Sequence, residues 1–208
     1  MSNLLDLMQE NMSPEALMDA ALNNRELLNE MLQAIDLQNR NEATRYISHQ
    51  VLVLLSERHP EKLYDQWDYF TTLLRSKKSH AKYNALYIIA NLVRIDTEKR
   101  FDSTFRDYFD LLDDESVVVA AHAALNAGKI ARSRPDLQSR ITQELTNING
   151  PRLAPNRREL ARGYAIEALS EYFEDAPDKG VILEFVTSQL QSSSPKTRKL
   201  AKQFLQRI

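Results

Sequence analysis

The sequence predicts an all-α protein built from repeated pairs of helices. Three observations support this fold class. One pattern of small and apolar residues occurs five times, its copies are regularly spaced along the 208 residues, and turn-forming residues are scarce, with only 4 glycines and 7 prolines. A sandwich or barrel of many short strands needs more turn residues than this chain provides. The chain is therefore expected to consist of helices joined by short connections.

The recurring pattern is a small or apolar residue, a basic residue, two variable positions, a small residue, two more variable positions and two apolar residues. Its apolar positions fall at i, i+4, i+7 and i+8, which places them on one face of an α-helix. The second position of the five copies lies at residues 45, 82, 118, 162 and 198, so successive copies are 37, 36, 44 and 36 residues apart. We call these copies the B segments, and they span residues 44–52, 81–89, 117–125, 161–169 and 197–205.

Each B segment follows another amphipathic segment, which we call an A segment. The A segments carry bulky side chains, whereas the B segments carry Ala or Ser where two helices must approach closely. Pro60, Pro135 and Pro177 come just before three of the A segments. Proline starts helices but breaks their interiors, so these prolines mark the boundaries between repeats. The A segments span residues 25–36, 61–75, 98–112, 136–148 and 178–191.

The repeats predict one domain over residues 1–208. Residues 1–23 hold two shorter helical segments divided at Ser13 and Pro14, which we expect to cap the first repeat. The outward face of the last B segment carries Lys199, Lys202 and Arg207 and is expected to close the other end. With both ends capped, a monomer is favoured. The predicted repeats span residues 24–59, 60–96, 97–134, 135–175 and 176–208.

The B segments resemble the Val-Arg-x-x-Ala-x-x-Ala-Leu core of HEAT repeats, which form helix-pair solenoids as armadillo repeats do. Residues 117–125 and 161–169 match this core best, and the resemblance covers about residues 24–208. It implies a right-handed α-α superhelix, or solenoid, of about five HEAT-like helix pairs with an N-terminal helical cap. The third copy departs from the pattern, because Val118 stands where the other copies have Arg or Lys.

The residue inventory argues against an enzyme. The chain has no cysteine, which excludes disulfides and thiolate ligands and favours a reducing compartment. Its four histidines form no metal-ligand pattern, and its few scattered glycines build no phosphate-binding loop. Some HEAT-like proteins are DNA glycosylases that use tryptophan beside a carboxylate, but the single Trp67 here has the spacing of a packing residue. We expect no catalytic residue, no cofactor and no metal.

A cytoplasmic location away from membranes is expected. No apolar run approaches the ~20 residues that span a bilayer. The first 11 residues have neither the basic region nor the continuous apolar region of a secretion signal. A cytoplasmic chain without a catalytic pattern fits a binding role, and we expect the binding residues on the surfaces of the helices.

The resemblance to HEAT repeats implies that the B helices line a concave face. Tyrosines and aliphatic side chains on such a face suit a protein or peptide partner, and we predict a non-enzymatic interaction scaffold or adaptor. The alternative is that Tyr83, Leu86 and Tyr87 only pack against neighbouring B helices. The candidate partner-binding residues are Tyr46, His49, Tyr83, Leu86, Tyr87, His122, Asn126 and Glu167.

Basic residues gather at three turns between A and B segments, which share one edge of a solenoid. Residues 1–74 carry 5 basic and 12 acidic residues, whereas residues 75–208 carry 22 basic and 17 acidic ones, so the net charge of −2 conceals a basic C-terminal portion. Nucleic-acid binding along this edge is therefore the alternative function. The basic edge consists of Lys77, Lys78, Lys82, Arg157, Arg158, Arg162, Lys196 and Arg198.

The longest spacing between copies has its surplus at residues 147–155, between the fourth A segment and its B segment. Two interpretations stay open for this insertion. It is either a tolerated loop or a protruding contact loop that presents Arg152, Arg157 and Arg158.

Overall fold

A computed structural model describes residues 4–10, 12–35 and 41–208 of the chain. It is 80% helical, and no strand occurs in these ranges, which confirms the predicted all-α class. Asp36, at the predicted end of the first A segment, lies outside the described residues, as do residues 1–3 and 11 of the predicted cap.

Twelve α-helices occur in the described ranges. They are α1 (Leu4–Gln9), α2 (Pro14–Leu22), α3 (Arg25–Ala34), α4 (Glu42–Arg58), α5 (Trp67–Leu74), α6 (Ser79–Leu92), α7 (Arg100–Phe109), α8 (Val117–Ser133), α9 (Gln138–Thr146), α10 (Pro155–Ser170), α11 (Lys179–Ser188) and α12 (Pro195–Leu205). Short 3-10 helices lie at Pro60–Lys62, Tyr64–Gln66, Val93–Ile95, Asp110–Asp113, Pro135–Leu137, Phe173–Asp175 and Gln189–Gln191. The predicted B segments lie in α4, α6, α8, α10 and α12, which we call the B helices.

The chain forms two compact units, residues 1–95 and residues 96–208. The boundary lies within one residue of the predicted limit between the second and third repeats. Each unit contains alternating A and B helices, and each has its own apolar core. The single domain over residues 1–208 stays a prediction.

In the first unit, α4 is the central helix. It contacts α2, α3 and α6, while α5 packs on α6 and α1 packs on α3. The two helices predicted as a cap thus contact the first A helix and the first B helix. Leu4, Leu17 and Met18 are buried there, but Leu5 is 53% exposed and does not share in this packing. Trp67, predicted as a packing residue, is buried in the core of this unit.

Side-chain caps set the starts of α2, α3 and α4 in the first unit. Asn24 accepts a hydrogen bond from the Leu27 N–H, and Asn41 accepts one from the Thr44 N–H. Ser13 caps α2 in the same way, directly before Pro14. Such caps satisfy N–H groups that the first turn of a helix leaves without an internal partner. These helix starts are therefore encoded locally in the sequence.

In the second unit, α10 packs between α8 and α12, and α9 and α11 lie against them. Small residues permit the close approach of α8 and α10. A Cβ atom built on Gly128 of α8 would lie 2.9 Å from the backbone oxygen of Ala168 in α10. Ala124, Ala127 and Ala168 beside it are fully buried. The predicted use of small side chains between B helices is thus realised at this contact.

A buried arginine stabilises the turn between α8 and α9. The Arg134 guanidinium donates hydrogen bonds of 2.7 and 2.8 Å to both carboxylate oxygens of Asp136, and it also donates to Asp102 of α7 at 2.7 Å. The hydrogen bonds from Arg134 lower the pKa of the Asp136 carboxyl group, while the carboxylates raise the pKa of Arg134. Since the Arg134 side chain is 8% exposed, these pairs are needed to satisfy its charge.

We expect Gly128→Ala to destabilise the second unit. The added methyl group meets backbone atoms of α10, and overpacking of this kind costs about 1–3 kcal/mol, more than the helix propensity that alanine contributes. Urea unfolding followed by circular dichroism measures the effect. Gly180→Ala is the matched control, because its Cβ meets nothing within 4 Å and the same exchange is neutral or stabilising there. Equal midpoints for the two variants contradict the close approach of α8 and α10.

Candidate functional site: an aromatic surface on α4 and α6

The first unit presents an aromatic surface formed by α4 and α6. Tyr46 projects from α4 and is 65% exposed, whereas His49 on the same helix and Tyr83 and Tyr87 on α6 are partly exposed. The helices bring the last three rings together. The His49 ring lies 5.0 Å from the Tyr83 ring and 6.0 Å from the Tyr87 ring, and the two tyrosine rings are 5.0 Å apart. We call these three side chains the aromatic cluster.

The geometry of the aromatic cluster follows from the helix contact beneath it. Tyr83 and Tyr87 are four residues apart on α6, so both point toward the same side of that helix. The small or short buried residues Ser48, Ala81 and Ala85 let α4 and α6 pack together. Ring pairs at these centroid distances and tilted angles are favourable, so the cluster holds its shape while one side faces solvent.

Two cavities flank α4 on this surface. The larger, of about 420 Å³, is lined by Glu42, Arg45, Tyr46, His49, Gln50, His80, Tyr83 and Asn84. The smaller, of about 310 Å³, lies toward α2 and is lined by Pro14, Glu15, His49, Gln50, Val53 and Leu54. His49 and Gln50 line both cavities, so the two cavities adjoin at these residues of α4. Together the cavities offer ring faces, amides and a guanidinium group to a ligand.

Positive charge is concentrated at the larger cavity. Burial, followed by the charges of Arg45 and Lys78, lowers the pKa of the His80 imidazole. The Nε2 atom of His80 is buried and makes no hydrogen bond to any described residue. Glu42 is the acidic residue in the wall, and its carboxylate lies 3.9 Å from the Arg45 guanidinium.

A second cluster lies in the other unit, around Tyr164 of α10. The Lys196 ammonium group lies 3.6 Å from the centroid of the Tyr164 ring and 3.7 Å from the Glu167 carboxylate. The His122 ring of α8 is 5.7 Å from the same tyrosine ring. Burial, and next the charge of Lys196, lowers the pKa of His122. Two of the predicted partner-binding residues, His122 and Glu167, thus share a cluster with Lys196 of the predicted basic edge.

Tyr164 is a residue that the sequence analysis did not select. It occupies the fourth position of its B segment, whereas the candidate partner-binding residues occupy the third, sixth, seventh and tenth positions of theirs. The packing of α10 between α8 and α12 decides which of its positions stay accessible, and the repeat pattern alone carries no information about that packing.

Two predicted partner-binding residues are inaccessible. Leu86 is 0% exposed and Asn126 is 1% exposed, so neither side chain reaches the surface. Leu86 packs in the core, which is the alternative considered for it, while the Asn126 amide donates to the His122 carbonyl oxygen at 3.0 Å. A B helix contacts neighbours on two sides, and this packing buries positions that a helix with one covered side would expose. The aromatic cluster, by contrast, combines mutual packing with exposure.

Three arginines of the predicted basic edge bind backbone carbonyl groups of the protein itself. Arg162 donates to the Ile148 carbonyl oxygen at 3.1 and 3.3 Å, Arg158 donates to the Leu153 carbonyl oxygen at 3.2 Å, and Arg198 donates to the Ser192 carbonyl oxygen. These cations therefore satisfy carbonyl groups of the turns before their own helices. Lys77, Lys78, Arg157 and Lys196 are exposed, and Lys82 is partly exposed.

The insertion at residues 147–155 folds back onto the turn after α7. The Asp113 carboxylate accepts hydrogen bonds of 3.1 Å from the N–H groups of Arg152 and Leu153 and pairs with the Arg152 guanidinium at 3.2 Å. A Cβ atom on Gly150 would lie 1.9 Å from Cγ of Asp113, so glycine is required beside this carboxylate. The loop thus does not stand free of the unit, although Arg152 and Arg157 are exposed.

The described part of the chain has neither a metal-binding cluster nor a membrane-spanning helix. No group of three or more His, Asp or Glu side chains there is arranged to hold a metal ion. None of the helices in residues 4–10, 12–35 and 41–208 combines the length and the apolar character needed to cross a bilayer.

Comparison of the chain with protein-family models, with curated proteins and with solved structures finds no match. The ring distances and the cavity of the aromatic surface are the features that indicate its function.

We expect the pKa of His122 to lie below its ordinary value of 6.5. The substitution Lys196→Met removes a positive charge beside the imidazole and should raise this pKa part of the way toward 6.5. The remaining shift is due to burial, which is the larger cause. Because folding lowers this pKa, the stabilisation by neutral His122 is complete above pH 6.5 and is lost as the pH falls through the folded value. NMR of the imidazole C–H signals measures both pKa values. Lys199→Met on the same helix is the control, and an identical shift in both variants contradicts the assignment to Lys196.

We expect Asp113→Ala to release the insertion. Without the carboxylate, the N–H groups of Arg152 and Leu153 lose their acceptor, and the peptide bond after Arg152 becomes a substrate for trypsin. Limited proteolysis with mass spectrometry measures the rate of cleavage there. Asp110→Ala is the matched control, since Arg152 binds only the backbone oxygen of Asp110, whose side chain pairs with Arg106 at 2.8 Å. Cleavage at equal rates in the two variants contradicts an anchoring role for Asp113.

Proposed function

We propose that this chain is a non-enzymatic HEAT-like solenoid that binds a protein or peptide partner through the aromatic surface of α4 and α6. The observation that carries this proposal is the partly exposed aromatic cluster of His49, Tyr83 and Tyr87, two of whose rings line the larger cavity together with the exposed Tyr46. The side-by-side packing of α4 with α6, and of α8, α10 and α12, supports the solenoid part of the proposal.

The chemistry of the surface favours protein recognition. Tyrosine combines a large apolar ring with a polar hydroxyl group, and it is enriched among the side chains that contribute most to binding between proteins. Tyr46 is the most exposed of these rings, and its hydroxyl accepts a hydrogen bond from the Gln50 amide at 3.3 Å. A partner that covers Tyr46 removes apolar area from water without breaking the core of the unit.

The arrangement of the cluster also suits binding because it is preorganised. The three rings already pack against one another, so a partner does not have to order them when it docks. One cavity lies between α4 and α6 and the other between α4 and α2, and both are lined by His49 and Gln50. A peptide segment that lies across α4 contacts both cavities.

The alternative of nucleic-acid binding has weaker support. Affinity for phosphates requires cationic side chains that replace counterions along a track. Arg158, Arg162 and Arg198 donate hydrogen bonds to backbone carbonyl groups, and Lys196 lies between Tyr164 and Glu167. We therefore favour the aromatic surface over the basic edge.

Photo-crosslinking tests the proposed surface. The chain is produced with p-benzoylphenylalanine in place of Tyr46, irradiated in a native lysate, and the adducts are identified by mass spectrometry. We expect a protein adduct at this position, and we expect Tyr46→Ala to reduce recovery of that protein by at least about tenfold, as truncation of a central interface tyrosine does.

Val181 provides the matched control for this experiment. It is 47% exposed on α11, so substitutions there test an exposed helix residue outside the aromatic surface. Adducts that are identical from positions 46 and 181, or recovery that Tyr46→Ala leaves unchanged, contradict the proposal. Because Tyr46 is mostly exposed, its replacement leaves the fold intact, and thermal unfolding of Tyr46→Ala verifies this.

A further inference from the structure

The larger cavity of the aromatic surface lies at the N-terminal ends of two helices. Glu42 and Arg45 in its wall belong to the first turns of α4, and His80 is the second residue of α6. The N-terminus of an α-helix carries a partial positive charge and N–H groups without internal partners. Helix ends alone do not make a site, but here they coincide with charged and buried polar side chains.

Cationic side chains dominate around His80. Arg45 of α4 and Lys78, which directly precedes α6, both act on the imidazole, and Lys82 lies one turn further along α6. The opposing acidic group is Glu42, whose side chain is 92% exposed and approaches Arg45 only to 3.9 Å. An ion pair this exposed and this long is weak and is readily replaced by a better-placed anion.

Buried hydrogen-bonding groups are also present in the wall. Asn84 lines the cavity with 5% of its surface exposed, and the buried Nε2 atom of His80 has no hydrogen-bond partner among the described residues. A buried polar atom without a partner is unfavourable, and a ligand atom that hydrogen-bonds to it removes that cost. The rings of Tyr46 and Tyr83 form the apolar part of the same wall.

We propose that this cavity binds an acidic side chain of the partner, a Glu or Asp carboxylate beside an aromatic residue. This inference rests on the proposed function and specifies the chemistry of the segment that binds. The carboxylate pairs with the Arg45 guanidinium and accepts a hydrogen bond from the His80 imidazole, while the neighbouring ring packs against Tyr46 and Tyr83. Charge complementarity decides for an acidic segment, because Arg45 in the wall and Lys78 beside His80 outweigh Glu42.

The bound carboxylate changes the titration of His80. It offsets the charges of Arg45 and Lys78, which lower the pKa of His80 in the free chain, so the pKa rises on binding. By linkage, affinity increases as the pH falls into the range between the free and the bound pKa values. Glu42, the acidic residue of the same wall, lies 3.9 Å from the Arg45 guanidinium.

NMR titration of the full chain tests this inference with the peptide N-acetyl-Phe-Glu-amide, and N-acetyl-Phe-Gln-amide is the uncharged control. We expect the Glu peptide to shift the signals of His80 and Tyr83 and to bind at least about fivefold more tightly than the Gln peptide. We also expect the pKa of His80 to rise in the Glu complex. Arg45→Met should abolish the difference between the peptides, whereas Arg58→Met, an exposed arginine at the other end of α4, should keep it.

Three outcomes overturn the inference. Equal binding of the two peptides shows that the carboxylate is not recognised, and unchanged signals of His80 place any contact elsewhere. An equal shift with inorganic phosphate alone identifies a site for small anions instead of a peptide site. Each of these results is compatible with a specific crosslink at position 46, so the aromatic surface and its preference for an acidic segment are tested separately.

Discussion

The close approach of the B helices is the constraint on which the rest of this structure depends. Helices that carry Ala, Ser or Gly along one face pack backbone against backbone, as α8 and α10 do where Gly128 meets Ala168. The bulky residues then concentrate on the A helices, and rings such as those of Trp67, Phe70 and Phe101 fill the volume that the small faces leave. Because large side chains lie on the A helices and small ones on the B helices, the same helix pair can be repeated along the chain.

The same packing decides which residues of the B helices stay accessible. A B helix with neighbours on both sides retains only a narrow accessible strip, and the identity of the residues in that strip differs from helix to helix. In α4 and α6 the strip contains Tyr46, His49, Tyr83 and Tyr87, whose rings are large enough to pack together and still reach solvent. In α8 and α10 it contains His122 and Tyr164. Leu86, next to Tyr87 in the sequence, and Asn126, one turn after His122, are buried.

Charges in the second unit stabilise turns. Arg134 binds Asp102 of α7 and Asp136, and Glu159 accepts hydrogen bonds from both Arg162 and Ser192. Asp113 binds the loop at residues 147–155 through Arg152 and Leu153. In the first unit, by contrast, Arg45 and His80 line a cavity, and the charge of Lys78 acts on His80. Basic residues of the two units therefore differ in their surroundings. Arg134 and Arg162 of the second unit bind other groups of the protein, whereas Arg45 and Lys78 of the first unit lie at or near a cavity.

The sequence by itself determined the all-α class, the places of the helices and the positions of the small residues, because periodicity, caps and prolines act over a few residues. It also placed Tyr46, His49, Tyr83 and Tyr87 on B helices. Only the tertiary structure decided that these rings meet, that Leu86 and Asn126 are buried, that Tyr164 is accessible and that Arg162 binds the carbonyl group of Ile148. These outcomes depend on the tilt of packed helices and on the path of the loop at residues 147–155, which involve residues distant in the chain and leave no local pattern.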